Sequence, residues 1–228
     1  GLGDVYKRQA AAGVDDDKYG GIIRSPLDVV AGTMRFFNVA LPDSQLEIAS
    51  FYDQTAVLFD TMDSMGMPYY NPFEVAGYGA YHQYPAYNRN WISSNYLTAR
   101  YSFIQYIINH MNLMEPDMLG VDAFQYTRDN FANAIGENAY ELIMAYARYL
   151  LPVHANLTFD PANDDNSGLT AERLNYFIKA FLYEPQLDDN PEAEWTNRYN
   201  SMTGVDVMKT QTDKLINALM QSPEFQLM

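Results

Sequence analysis

Apolar side chains recur every three or four positions along much of this chain, which is the spacing that gives a helix one buried face. The first such stretch begins at Ser25-Pro26, an N-cap followed by proline at the first helical position, with Asp28 placed to complete a capping box. This predicted helix ends near Asn38. Its predicted core face is made of apolar residues three or four apart: Leu27, Val30, Ala31, Met34 and Phe37.

The same spacing predicts further helices. A second helix follows residues 42–44 and stops at Gly66, and its predicted buried stripe consists of Leu46, Ile48, Ala49, Tyr52, Ala56, Phe59 and Met62. The remaining predicted helices span about 93–111, 138–151, 171–183 and 205–221. Trp195 is predicted to open a short turn, and residues 118–126 fit either an extended segment or a helix start. All strong periodicity is helical, so we predict an all-α fold, an irregular multi-helix domain with long loops.

A loop at about 66–92, rich in Tyr, Pro and Gly, is the most distinctive stretch of the chain. Structureless loops longer than about 15 residues are unusual in compact domains and are commonly functional. Its aromatic and amide side chains suit stacking on a sugar or a peptide, but they equally suit a lid anchored over helices by Trp91. Arg89 and Arg100 are placed to hold such a lid down by pairing with Glu74 or Asp63. The candidate binding residues are Tyr78, Tyr81, His82, Tyr84, Tyr87, Trp91 and Arg100.

The composition disfavours or excludes several kinds of partner and site. The formal net charge of −15 disfavours nucleic-acid backbones and anionic membrane surfaces as partners, because both attract clustered Lys and Arg. The absence of cysteine excludes disulfides, zinc–thiolate sites and a cysteine nucleophile. The sequence has no run of about 18 apolar residues, so we expect no membrane span in it.

Candidate catalytic groups are few, and whether the chain is an enzyme stays open. The three histidines are widely separated, and no HExxH or GxSxG motif occurs, so the sequence indicates no metal, cofactor or nucleophilic triad. His110 and His154 are expected to be structural or exposed. The catalytic candidates, all within or just before the loop, are Glu74, Asp63 and His82. A glycosidase would need Glu74 and an acid from Asp60 or Asp63 facing each other across a cleft.

The segment Asp160–Glu172 has some features of a calcium-binding loop. An EF-hand loop with Gly168 at position 6 would place Leu174 at position 12, where a bidentate glutamate is required. We therefore favour a solvated loop leading into a helix that Thr170 caps, with a calcium site of another type as the alternative. Its candidate ligands are Asp160, Asp164 and Asp165. The acidic run at 15–17 is expected to be a solvated loop as well.

Four segments carry motifs in a fixed order: Ile22–Arg35 (IIRSPLDVVAGTMR), Met65–Tyr78 (MGMPYYNPFEVAGY), Asn90–Arg100 (NWISSNYLTAR) and Ser222–Met228 (SPEFQLM). They resemble, in order, the I-K-S-P segment, the G-Q-x-x-x-x-P-P-x-V-x-G-W signature, the W-I-N/S segment and the usual ending of a large bacterial family catalogued as domain of unknown function 1800. Met67, Phe73 and Tyr78 stand where that signature has Gln, Pro and Trp. The chain looks like a variant from Bacteroidota.

The resemblance implies a largely helical, exported protein for which no activity or catalytic residue is established. It also implies a partner, because members are often encoded beside a secreted family with an alkaline-phosphatase-like fold. We expect residues 22–228 to form a single helical domain, the C-terminal part of a longer protein, after a linker at 10–21. Residues 1–9 contain DVYKRQ, which resembles a translated transposase mosaic-end adapter, as expected for a metagenomic fragment.

The function predicted from the sequence is that of an exported binding or assembly component at the cell envelope, whether periplasmic, at the outer envelope or extracellular. The loop at 66–92 is its predicted contact surface. The alternative is a hydrolase acting on glycans with paired carboxylates near the loop.

Overall fold

The computed structural model describes residues 21–114, 118–152, 156–165, 168–183 and 190–228. In this part of the chain the backbone forms ten α-helices and three 3₁₀ segments, and its only β pairings are isolated bridges. The predicted all-α class is therefore confirmed. The predictions for residues 1–9, for the linker up to residue 20 and for His154 lie outside the described residues.

The α-helices, in chain order, are α1 (Pro26–Phe36), α2 (Ile48–Ser64), α3 (Gly79–His82), α4 (Ser94–Ile107), α5 (Ala123–Asn130), α6 (Asn133–Gly136), α7 (Ala139–Leu150), α8 (Ala171–Phe181), α9 (Pro191–Ser201) and α10 (Val205–Met220). The 3₁₀ segments are Tyr87–Trp91, His110–Met114 and Glu224–Gln226. Backbone proximity divides the chain into two compact units. The described residues of the first unit are 21–107, 118–119 and 226–228, and those of the second lie within 108–114 and 120–225. That residues 22–228 form one domain stays a prediction.

Helix α1 begins as predicted, and its predicted core face is partly confirmed. The Ser25 hydroxyl accepts a hydrogen bond from the Asp28 N–H (3.2 Å), and the Asp28 carboxylate accepts one from the Ser25 N–H (3.3 Å), so both bonds of the capping box are present. Three predicted core residues are only half-buried: Leu27, Ala31 and Met34. The other two, Val30 and Phe37, are buried as predicted, and Val29 and Thr33 are buried with them. Thr33 is tolerated there because its hydroxyl donates to the Val29 carbonyl at 2.6 Å.

Helix α2 ends as predicted, but its predicted buried stripe is largely wrong. Gly66, with φ of +88°, donates to the Asp63 carbonyl (2.8 Å), and the next N–H donates to the Met62 carbonyl (2.9 Å). These two bonds form the Schellman motif that ends helices at glycine. The helix contacts α1 and α4 with one face, which buries Gln54, Leu58 and Met62. Ile48 and Tyr52 of the helix, and Leu46 just before it, are exposed.

Within the first unit, the end of the chain is paired with the segment before α1. The Arg24 N–H donates to the Gln226 carbonyl, and the Met228 N–H donates to the Ile22 carbonyl, both at 2.8 Å. Arg100 of α4 is fully buried and donates to the Gln226 side-chain oxygen (3.1 Å) and to the Arg24 carbonyl (2.7 Å). One guanidinium therefore joins α4, the segment before α1 and the last residues of the chain.

The second unit is organised around buried aromatic rings on α5, α8 and α9. Trp195 contacts the rings of Phe124, Phe181 and Tyr199, with ring centroids 4.6–6.3 Å apart. Its indole N–H donates to the Gly136 carbonyl at 3.0 Å. The predicted short turn at Trp195 is wrong, because Asn190 caps a full helix that has proline at its first position.

Candidate functional site

A pocket of about 290 Å³ opens in the segment of the first unit that the sequence singles out. Its aromatic lining consists of Phe73, Tyr78, Trp91 and Tyr96. Its polar lining consists of Glu74, Gln83 and Asn90. Two glycines and an alanine complete it: Gly66, Gly79 and Ala80. We call these residues the aromatic pocket.

The backbone around the aromatic pocket is more regular than predicted. Helix α3 and the 3₁₀ segment Tyr87–Trp91 pack against each other inside what the sequence indicates is a structureless loop. Trp91 is 3 % exposed and forms a small core with Met67 and Ala80. The ring of Tyr78 lies against that of Trp91, with centroids 5.7 Å apart. Trp91 is thus both the anchor of the segment and part of the pocket lining.

Two local features hold the pocket walls in place. Burial raises the pKa of the Tyr78 phenol, so its hydroxyl stays protonated and donates to the Pro68 carbonyl at 2.7 Å. On the other wall, Gly66 lets the Tyr96 ring approach the end of α2. A Cβ atom at Gly66 would lie 2.5 Å from that ring, and the positive φ of this residue independently favours glycine.

The polar groups of the aromatic pocket form a chain of hydrogen bonds that ends at a carboxylate. The Asn90 amide donates to the Gln83 side-chain oxygen, and the Gln83 amide donates to Glu74 Oε1, each at 3.3 Å. His82 Nε2 lies 3.4 Å from Glu74 Oε2. That contact lacks hydrogen-bond alignment, and the Nε2 atom is buried without a partner. In the described part of the chain no Lys or Arg forms an ion pair with Glu74.

The side chains of the Tyr-rich stretch at 66–92 are neither all buried nor all exposed. Among the tyrosines predicted to bind, Tyr84 is 82 % exposed, Tyr81 48 % and Tyr87 37 %, and none of them lines the aromatic pocket. Tyr81 instead packs edge-on against Trp91 with ring centroids 5.9 Å apart. Only Tyr78 and Trp91 of the predicted binding aromatics belong to the pocket. Phe73, Gln83 and Asn90 belong to it without having been predicted as binding residues.

The remaining predicted residues of this region lie elsewhere. Burial, followed by the nearby positive charge of Arg24, lowers the pKa of Arg100 to about 10, so its guanidinium stays charged at neutral pH. It binds Gln226 and the Arg24 carbonyl instead of forming the expected ion pair with Glu74 or Asp63. The exposed Asp63 is on α2 and does not line the aromatic pocket, and the same holds for Asp60. Glu74 is therefore the one carboxylate in the described lining.

The calcium candidates are engaged in local hydrogen bonds. Asp160 accepts from the Ala162 N–H (2.9 Å), and Asp164 accepts from the Ala171 N–H at the start of α8 (2.6 Å). The Asp165 carboxylate accepts from the side-chain amide of Asn156. Among the residues that the structure describes, no group of three His, Asp or Glu side chains is arranged to hold a metal ion.

One pair of titratable residues in the second unit was not predicted from the sequence. His110 Nδ1 lies 2.6 Å from Asp213 Oδ2, and the same oxygen accepts the His110 backbone N–H at 3.3 Å. Burial raises the pKa of Asp213, and its other oxygen is buried without a partner. The contact fixes the start of the 3₁₀ segment His110–Met114 on α10. No sequence signal announces a pair whose members are 103 residues apart.

Comparison with known proteins gives a family. The model of the family described as "Protein of unknown function (DUF1800)" matches residues 4–227, which confirms the resemblance carried by the four motifs. No curated protein and no solved structure matches the chain. None of the helices in the described ranges is both long and apolar enough to cross a membrane.

Proposed function

The chain belongs to the DUF1800 family of proteins of unknown function, and from this premise we propose that it is a non-catalytic, exported protein that binds a glycan at the cell envelope. The aromatic pocket takes one sugar ring of that glycan. The observation that carries the proposal is the composition of the pocket, which is lined by four aromatic residues, one carboxylate and two side-chain amides.

This combination matches the two kinds of surface on a sugar ring. The C–H faces of the ring are apolar and pack on aromatic side chains, while its hydroxyl groups need hydrogen-bond donors and acceptors at fixed positions. Asn90, Gln83 and Glu74 present amide and carboxylate groups in one connected line. The volume of about 290 Å³ lies near the lower end for small-molecule pockets, about 300 Å³, and therefore suits a single ring.

The pocket is also largely preformed, because its parts are fixed by the fold. Trp91 is held by the small core with Met67 and Ala80, and Tyr78 by its hydrogen bond to the Pro68 carbonyl. Binding would therefore order few side chains, which limits the entropic cost of association.

The proposal is tested by NMR titration of the ¹⁵N-labelled protein with neutral methyl glycosides and short envelope oligosaccharides. The chain has two tryptophans, so the indole N–H signals of Trp91 and Trp195 report on the pocket and on a buried site of the second unit. We expect a saturable shift of the Trp91 signal and a stationary Trp195 signal. If every glycan leaves the Trp91 signal in place, the proposed function is wrong.

A matched pair of variants locates the binding surface. Phe73 and Tyr84 are both exposed aromatic residues of the same segment, 74 % and 82 % exposed, but only Phe73 lines the aromatic pocket. We expect Phe73→Ala to weaken glycan binding several-fold and Tyr84→Ala to leave it unchanged. Equal losses of glycan affinity in both variants would show that the binding surface is the whole exposed segment and not the pocket.

Export and the partner with an alkaline-phosphatase-like fold form the second part of the proposal, and family membership supports them. Expression of the full-length gene with fractionation of the host cells tests export. Co-purification with the product of the neighbouring gene tests the partner. Recovery of the full-length protein in the cytoplasm would contradict the proposed location at the cell envelope.

The glycan hydrolase stays a prediction that no observation favours. Hydrolysis by paired acids requires two carboxyl groups about 5–10 Å apart across the substrate. Glu74 is the one carboxylate in the described lining of the pocket, and the other acids predicted for this role, Asp60 and Asp63, do not line it.

A further inference from the structure

We propose that the sugar ring recognised by the aromatic pocket carries an ammonium group, as an amino sugar with a free amine does. This inference rests on the proposed function and adds the chemical class of the ligand. It is carried by a carboxylate that forms no ion pair with Lys or Arg among the described residues, by the aromatic rings around it and by the absence of other acidic side chains and of Lys or Arg in the described lining.

Glu74 is the charged residue of the aromatic pocket, and its charge is only weakly offset. Its contacts with Gln83 (3.3 Å) and His82 (3.4 Å) are long, and the His82 contact lacks hydrogen-bond alignment. The Glu74 side chain is 51 % exposed, so its carboxylate is accessible to a ligand. An ammonium group supplies a short charge-assisted hydrogen bond, which these long contacts do not provide.

The rings of the aromatic pocket favour the same charge. A cation within about 6 Å of an aromatic face is attracted by the negative face of the ring, and tryptophan attracts it most strongly. Trp91, Tyr78, Tyr96 and Phe73 line the pocket together with Glu74. A ring with an ammonium substituent would thus contact the carboxylate and at least one aromatic face, while its C–H groups pack on the others.

The charges of the described lining disfavour anionic sugars. No Lys or Arg is among the lining residues, so a uronic acid or a sulfated sugar would meet Glu74 without a compensating cation. The net charge of −15 for the whole chain acts in the same direction at long range. A neutral sugar would leave the Glu74 carboxylate with only its long internal contacts.

The test compares ligands that differ in one substituent. Methyl glucosaminide, methyl glucoside and methyl N-acetylglucosaminide share a ring but carry an ammonium, a hydroxyl or a neutral amide group at the same carbon. Each is titrated into the ¹⁵N-labelled protein at neutral pH, with the Trp91 indole signal as the readout. We expect the ammonium ligand to bind about tenfold more tightly than the other two.

Two variants that change the net charge equally separate the pocket from general attraction. Glu74→Gln removes the pocket carboxylate, and Asp63→Asn removes an exposed carboxylate that does not line the pocket. We expect Glu74→Gln to abolish the preference for the ammonium ligand and Asp63→Asn to retain it. A preference that survives in Glu74→Gln, or is lost equally in both variants, overturns the inference.

The outcomes distinguish this inference from the proposed function beneath it. If the three glycosides bind equally, the protein still binds glycans but the ammonium group is not recognised. If none of them and no neutral oligosaccharide shifts the Trp91 signal, the proposed function itself is wrong. A larger effect with Nα-acetyl-lysine methylamide than with methyl glucosaminide would replace the amino sugar by a lysine side chain of a peptide.

Discussion

Replacement of Arg100 by methionine should destabilise the first unit by about 2–4 kcal/mol. Methionine fills much of the same space, but it cannot donate to the Gln226 side-chain oxygen or to the Arg24 carbonyl. Loss of a hydrogen bond at a buried acceptor costs about 1–3 kcal/mol, and this substitution removes two such bonds. Removal of a buried guanidinium returns part of that cost, because its desolvation opposes folding in the parent protein.

A second substitution separates these contributions. In Arg100→Met/Gln226→Leu the side-chain oxygen is absent, so the bond from Arg100 to the Arg24 carbonyl is the one lost at a remaining acceptor. We expect the double variant to recover about 1–3 kcal/mol relative to Arg100→Met, although it carries one more substitution. Arg100→Lys keeps the charge but loses the planar guanidinium, so it should retain one of the two hydrogen bonds. Its free energy of unfolding should therefore lie between those of the parent and the methionine variant.

The measurement is urea unfolding followed through the indole N–H signal of Trp91, which lies in the first unit with Arg100. A loss of about 3 kcal/mol moves the midpoint by 1–3 M urea at typical denaturant slopes. Two results would refute the reasoning. One is an unchanged midpoint in Arg100→Met, and the other is a double variant that is less stable than Arg100→Met itself.

Three further predictions concern stability. Ser25→Ala removes the side-chain half of the capping box and should cost about 1 kcal/mol, measured by urea unfolding. Gly136→Ala places a Cβ atom 2.1 Å from the Tyr199 hydroxyl and should cost about 1–3 kcal/mol, whereas Gly32→Ala on α1 meets no atom within 4 Å and should stabilise by up to about 1 kcal/mol; equal effects would contradict the packing argument. Burial raises the pKa of Asp213 above its value in the unfolded chain, so the parent protein loses stability as the pH rises from the unfolded to the folded pKa. The free energy of unfolding of Asp213→Asn, relative to the parent, should therefore be higher at pH 7 than at pH 4 in urea titrations. A difference that does not depend on pH would contradict this prediction.

Local sequence signals proved the most informative about the fold. The capping box at Ser25 and Asp28 and the Schellman ending at Gly66 depend on residues within a few positions of each other, so the sequence alone predicts them. Helix α9 was not predicted, although the signal for its start is also local. Its N-cap and first-turn proline, Asn190-Pro191, occur in an acidic stretch that also fits a loop.

Contacts between distant residues could not be predicted in the same way. Helix α2 has apolar side chains on two faces, and only its packing against α1 and α4 decides which face is buried. Most of the predicted stripe, including Tyr52, is therefore exposed, whereas its last residue, Met62, is buried. In the aromatic pocket, Trp91 and Tyr78 were predicted from residue type. Gln83 and Asn90 are recognisable only once α3 and the 3₁₀ segment bring them beside Glu74.

The pairing of residues 226–228 with residues 22–24 has a consequence for synthesis on the ribosome. The first unit cannot form its last contacts until residues 108–225, which include the whole second unit, have been translated. At about 5–20 residues per second this takes roughly 6–24 s. During that time the guanidinium of Arg100 lacks its Gln226 partner, so the nascent first unit is held in an incomplete state that a chaperone or a protease can recognise.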